Sequence, residues 1–274
     1  MKNKGQGVKR PVLAAVALTA LIMSSCGGPY SARRIVEPEG KLALASSLFE
    51  KGKYKEASVE YKDFLAAFAG DERSDFAQFR LAESYRLDGD YPLAAVEYRI
   101  LINDYGYSEY VDDAFYLEGL CAFMQRQRPE KDQSKTYEAL GRINRFLQVF
   151  KDSPLRPEAE KTRGMIHDIL GEKDFKNGML YFTKKHNNAA LLYFDKVISD
   201  YPSTVWAARS MYYRGRIAEM NGDMEAALMA YGESASSAFD FSEKPDAAAR
   251  AGKPAGGGEG GAGQPGETKS EDRG

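Results

Sequence analysis

Metal binding or general-base chemistry would have to start from two histidines, His167 and His186, which stand nineteen residues apart. Neither is accompanied by cysteine or carboxylate at metal-ligand spacing, so both are read as helix-surface or helix-end residues and no metal site is expected. The acidic pairs Asp71-Glu72 and Asp112-Asp113 could in principle exchange protons. Neither has an obvious partner to shift its pKa, and Asp112-Asp113 near a helix start fits stabilisation by the helix dipole instead. A glycine run, Gly256-Gly257-Gly258-Glu259-Gly260-Gly261, lacks the strand and helix that would aim backbone N–H groups at a phosphate, and reads as linker. Contact chemistry is better represented. Tyr105, Tyr107 and Tyr110 cluster at one turn, and Tyr212 and Tyr213 are interleaved with Arg209, Arg214 and Arg216. Tyrosine and arginine are the residues protein interfaces favour, so Tyr105, Tyr107, Tyr110, Arg209, Tyr212, Tyr213 and Arg216 are candidate partner contacts. Tyr212 and Tyr213 occupy adjacent helical positions, so one of them is expected to face away from the core.

The chain has two cysteines, Cys26 and Cys121. Cys121 lies in an apolar helical stretch, Phe115 to Phe123, and is expected to pack as a small hydrophobe. Cys26 follows a basic stretch ending at Arg10, an apolar stretch from Val12 to Met23, and the small residues Ser24 and Ser25. Twelve apolar residues are too few to cross a ~30 Å hydrocarbon core, so residues 1–25 read as an export signal. Leu21-Ile22-Met23-Ser24-Ser25-Cys26-Gly27-Gly28 looks like a bacterial lipobox, with Met23 where leucine is usual. That motif implies cleavage before Cys26, diacylglycerol on its sulfur and an acyl chain on its new amino terminus. No other cofactor is expected. Each buried CH₂ of such chains contributes about 0.8 kcal/mol, enough together to hold a folded body on a membrane. Residues 26–37 form the lipidated linker, in which Arg33-Arg34 could touch lipid head groups. Loss of Lys2, Lys4, Lys9 and Arg10 with the signal takes the net charge from −2 to −6, which disfavours nucleic acid as a partner.

Positioning is the work of a repeat. Tyr54, Ala57, Tyr61, Phe64, Leu65 and Phe68 recur 37 residues on as Tyr91, Ala94, Tyr98, Leu101, Ile102 and Tyr105. The same spacing fits Thr136 to Phe150, Asn187 to Tyr201 and, more weakly, Met224 to Ala238, and it describes one face of a helix. Gly52, Gly89 and Gly222 each stand five residues before the repeated alanine, where a left-handed turn would join two helices. Ala45, Ala82, Gly178 and Gly215 stand twelve before it, small enough for a second helix to approach closely. The intervals between alanines, 37, 45, 51 and 37 residues, place insertions near Arg126 to Ser134 and within Pro157 to Lys185. The pattern resembles the tetratricopeptide repeat, with Pro202 at its closing proline and Ala69, Gly106 and Lys151 departing from it. An all-α superhelical solenoid of about five tetratricopeptide-like hairpins is therefore expected over residues 38–240, with a concave surface for partners. Residues 241–274 turn to Ala, Gly, Pro and charge, with nine glycines from Gly252 onward, and are expected to be a disordered tail.

Lipobox, short linker and five hairpins together resemble the BamD family of outer-membrane assembly lipoproteins. Leu44 to Leu65 and Leu81 to Ile102 look like its first two repeats, Lys131-Asp132-Gln133-Ser134 like the Asp-Gln motif before its third, and the region before His186 like its long joining helix. The resemblance implies a non-enzymatic scaffold on the periplasmic face of the outer membrane. Its partners would be the POTRA domains of a BamA-like barrel protein at the C-terminal repeats and unfolded outer-membrane proteins at the N-terminal ones, with room for other assembly lipoproteins. A different envelope adaptor, serving Tol–Pal or cell-wall synthesis, would call for a coiled coil that the residues between Cys26 and Pro38 are too few to form. A lipoprotein hydrolase would need a nucleophile and base that two helical histidines do not suggest. Gly27-Gly28 lacks the aspartate that commonly retains lipoproteins in the inner membrane, which favours the outer one.

Overall fold

The computed structural model describes residues 37–252; the signal, Cys26 and nearly all of the linker, and the tail beyond Gly252, lie outside it. Eleven α-helices follow one another among the described residues, and there is no strand. Five hairpins are formed by α1 (Pro38–Glu50) with α2 (Tyr54–Ala67), α3 (Ser74–Asp88) with α4 (Tyr91–Asp104), α5 (Val111–Met124) with α6 (Ser134–Val149), α7 (Arg156–Thr183) with α8 (Asn187–Asp200), and α9 (Val205–Met220) with α10 (Met224–Ala235). A last helix, α11 (Lys244–Ala251), follows them. Each helix packs chiefly on its neighbours in sequence, so the hairpins stack into an all-α tetratricopeptide-like solenoid.

The repeated positions explain why. Ala57, Tyr61 and Phe64 on α2, Ala94, Tyr98 and Leu101 on α4, Ala139, Ile143 and Phe146 on α6, and Ala190, Phe194 and Val197 on α8 are all fully buried. Their spacing puts them on one stripe of each second helix, and that stripe lies on the first helix of its own hairpin and of the next. Gly52, Gly89 and Gly222 turn the chain with φ of 72°, 88° and 82°, a region closed to most other residues. The fourth hairpin makes the same turn at Lys185, with φ 61°.

Small residues in the first helices seat the large ones of the second. A Cβ on Gly178 would stand 2.6 Å from the ring of Phe194, and one on Gly215 would stand 2.8 Å from the ring of Tyr231. The third hairpin has its own such residue, Gly119, where a Cβ would meet Ile143 at 2.9 Å. Gly119 lies twenty residues before Ala139 rather than twelve, because the inserted loop 125–133 displaces it. That loop is organised by Gln133, which is 1% exposed. Its amide donates to the carbonyls of Arg128 and Lys131 and accepts from the Thr136 hydroxyl. The second insertion becomes helix: α7 runs 28 residues, about 42 Å at the usual rise.

One expected boundary is corrected. The tail was expected to start at residue 241, yet Lys244–Ala251 is a helix, with Pro245 in its first turn and Ala247 fully buried. Composition alone undervalues this segment. Its alanines suit a helix, and its charged residues find partners on α9 and its neighbours.

Candidate partner-binding surfaces

The two clusters proposed from sequence fare differently. In the turn between α4 and α5, Tyr105 closes α4 and packs into the second repeat's core, while Tyr110 stacks on Phe79 at 4.8 Å. Tyr107, between them, is 84% exposed. It borders a groove of about 510 Å³ that runs to the α6–α7 turn, where Val149, Phe150 and Pro154 form the opposite side. The two turns are tied together by Ser153, whose hydroxyl donates to Asp112 at 2.7 Å. Asp112 thus does more than meet the α5 helix dipole: it also fixes one turn to the next.

On α9 the Tyr and Arg side chains are engaged within the chain. Tyr212 is 4% exposed, stands 5.8 Å from the Tyr231 ring and donates to Asp246 of α11 at 2.5 Å. Tyr213 faces the other way, into Phe175, Phe182 and Phe194, and donates to Glu243 at 3.1 Å. Both adjacent tyrosines are therefore covered. The expectation that one must face solvent assumed that nothing lay beyond the fifth hairpin, and α11 and the long α7 supply the missing walls. Arg209 lies over the Phe175 ring at 4.7 Å and donates to both oxygens of Glu243, at 3.1 and 2.6 Å. Arg216 donates to the Tyr212 hydroxyl at 3.1 Å. Arg250 of α11 reaches back to Glu219, which also accepts from Tyr231 at 2.7 Å. Burial pushes the Tyr213 hydroxyl up to about 12, with Glu243 adding to the effect. Burial alone would raise the Glu243 carboxyl, but the hydrogen bonds from Arg209 and Ser242 reverse this and hold it below its usual range.

Cys121 is a free, fully buried thiol, pushed up to about 12 by burial. His167 packs in a tilted arrangement at 5.5 Å from Tyr201 and is shifted down by burial and by Arg163. His186 precedes the first residue of α8. Asp71 accepts from the Arg73 side chain and backbone, and these bonds lower it to about 2. No group of three or more His, Cys, Asp or Glu among the described residues could hold a metal ion.

One cavity was not foreseen. About 360 Å³ in volume, it opens between α5 and α6, with Phe115 and Glu118 on one side and Tyr137, Gly141, Arg142 and Arg145 on the other. Glu118 is 4% exposed and is held by Arg99 of α4 at 2.8 Å and by Arg142. The signal available in the sequence was Glu118 itself, the one acid inside the apolar stretch Phe115 to Phe123.

With the surfaces in place, known proteins can be set beside the chain. It is 25% identical over 202 residues to the outer membrane protein assembly factor BamD of Rickettsia prowazekii, covering 73% of this chain and 80% of that protein. It is 23% identical over 211 residues to the protein of the same name from Caulobacter vibrioides, covering 76% and 69%. Among solved structures, MamA aligns at 16% identity with a TM-score of 0.38, covering 79% of this chain and 96% of that one. The TPR2AB domain of yeast Sti1 aligns at 13% and 0.39, covering 72% and 76%. The family model YfiO, described as outer membrane lipoprotein, matches residues 42–230, from within α1 to within α10 and so reaching into every hairpin, and this chain belongs to that family.

Proposed function

We propose that this chain is a lipid-anchored, non-catalytic scaffold of the outer-membrane β-barrel assembly machinery, held to the periplasmic face of the outer membrane through acyl chains on Cys26. The observation that carries the proposal is the family match across all five hairpins, joined by relatives named as outer membrane protein assembly factors. The physical case agrees with it. A stack of hairpins offers an extended surface, and among the described residues no group of three or more metal-ligating side chains is gathered on it, which supports capture and positioning as its chemistry. Its partners are the POTRA domains of a BamA-like barrel protein, unfolded outer-membrane proteins and other assembly lipoproteins. The N-terminal repeats take the unfolded protein, and the C-terminal repeats the barrel protein.

The test is affinity purification of the lipidated chain from membranes in mild detergent, with partners identified and quantified by mass spectrometry. Recovery of a barrel protein with POTRA domains in near-equal amount is the expected result. Recovery of Tol–Pal or cell-wall synthesis proteins in its place overturns the proposal.

A further inference from the structure

The second helix of each hairpin carries an exposed position two residues after its buried alanine. In four hairpins that position is apolar and open to solvent: Val59 is 57% exposed, Val96 46%, Leu192 74% and Met229 61%. In the third hairpin the equivalent residue is Gly141. Its glycine is not required by packing, because a Cβ there would meet nothing within 4 Å, as at Gly164 and Gly232 and unlike Gly119, Gly178 and Gly215. Nor does its backbone require it, since Gly141 is not among the glycines with positive φ. A mid-helix glycine costs about 0.5–1 kcal/mol relative to alanine, and here no contact offsets that cost. Gly141 lines the cavity between α5 and α6.

The walls of the cavity define what would fill it. Phe115 and Tyr137 supply aromatic surface. Arg145 lies over the Phe115 ring at 5.5 Å and pairs with no carboxylate among the described residues. Arg99 and Arg142 share the buried acid Glu118, and Arg142 shares Glu138 with Lys135. Two arginines, Arg142 and Arg145, and two glutamates, Glu118 and Glu138, line the opening; Arg99 and Lys135 from outside it also engage those glutamates, so that Arg145 is the lining charge without a partner among the described residues. Guanidinium groups favour carboxylates, which they bind bidentately, and aromatic walls favour an aromatic or other large apolar side chain.

We propose that this cavity is a docking site for a partner polypeptide that presents an acidic residue beside a large apolar one. The carboxylate pairs with Arg145, and the apolar side chain enters the space over Gly141, against Phe115 and Tyr137. The site rests on the scaffold reading given above, and it assigns the third hairpin a contact of its own, apart from the surfaces at either end of the solenoid.

The probe is an end-blocked, fluorescently labelled peptide with one phenylalanine between two aspartates in a glycine-serine context, titrated by anisotropy against the full lipidated chain in detergent. Gly141→Leu fills the cavity without touching the charges, and Arg145→Glu reverses the unpaired charge; circular dichroism verifies that both variants keep their helices. Saturable binding below about 1 mM is expected, weakened about tenfold or more by either variant and by replacing the peptide's phenylalanine with alanine or its aspartates with asparagines. Absence of saturable binding, or equal binding by the wild type and Gly141→Leu, overturns the site. Anionic vesicles that bind the wild type and lose Gly141→Leu, with no peptide binding, would assign the cavity to lipid and overturn it too. None of these readings depends on which proteins co-purify from membranes, so the site and the assembly role fail separately.

Discussion

The third and fifth hairpins carry the same interface-type residues, aromatic rings beside arginines, and the chain treats them in opposite ways. At the fifth, α11 brings Glu243 to Arg209 and Tyr213, and Asp246 to Tyr212, so that a surface of partner-like composition is filled from within. At the third, the acids that line the cavity, Glu118 and Glu138, are taken up by Arg99, Arg142 and Lys135, and Arg145 is left over beside the opening. Residue types alone could not separate these cases. What separates them is whether the chain supplies its own carboxylates, and only the folded structure shows where those come from.

Glycines give the sharpest way to break the comparison. At Gly178 a Cβ would stand 2.6 Å from the Phe194 ring, so Gly178→Ala must push α7 and α8 apart. The expected loss is about 1–3 kcal/mol, read as a lower midpoint in urea unfolding. An unchanged or higher midpoint would show that the small residues of the first helices are not what seats the second. A slightly smaller loss is expected at the fifth hairpin. Glu243→Gln keeps the shape of the side chain but removes the charge that Arg209 holds at 2.6 Å, which costs about 1–2 kcal/mol and should raise hydrogen exchange throughout α11. If exchange rises elsewhere and α11 keeps its protection, Ala247 and its neighbours hold the helix instead.

Acid should act on the same contact. The carboxyls of Glu243 and Asp246 are both held below their usual range, Glu243 because bonds from Arg209 outweigh burial, and Asp246 chiefly by bonds from Tyr212 and Arg250. A depressed carboxylate contributes stability that is fully present above its unfolded value of about 4 and is lost as pH falls through the lower folded value. Exchange protection in α11 should therefore hold from neutral pH to about 4 and decline below it, ahead of protection at the buried aromatics of α8. Simultaneous loss would mean that α11 unfolds only with the whole solenoid.

Much of this architecture was legible because the repeat is a periodic demand on residue size. Ala57, Ala94, Ala139, Ala190 and Ala227 could be lined up by counting, and Gly52, Gly89 and Gly222 marked the turns in the three hairpins that lack insertions before them. Counting failed where length varied: Gly119 plays the part of Gly178 but sits behind a loop, so no fixed offset finds it. It failed at α11, where an alanine-rich run before a glycine-rich tail gives no hint that Glu243 and Asp246 meet α9, 34 residues upstream. The candidate contacts were legible as types but not as surfaces. Tyr107 lies open and Tyr212 is buried, yet nothing in their immediate sequence distinguishes them.

The smallest expected effect has the opposite sign from the first. Gly141→Ala adds a methyl group where nothing lies within 4 Å, on a helix whose other constraints are already met. The added residue restricts the unfolded chain and fits the helix, so the midpoint should rise by the equivalent of about 0.5–1 kcal/mol. The contrast with Gly178→Ala is the point of the measurement, because both replace a mid-helix glycine with the same residue. If Gly141→Ala stabilises the fold, the glycine is not held there by packing, and the first and second helices of the hairpins use glycine for different reasons. If it destabilises by as much as Gly178→Ala, the space beside Gly141 is part of the packed core and the difference between the third hairpin and the others disappears.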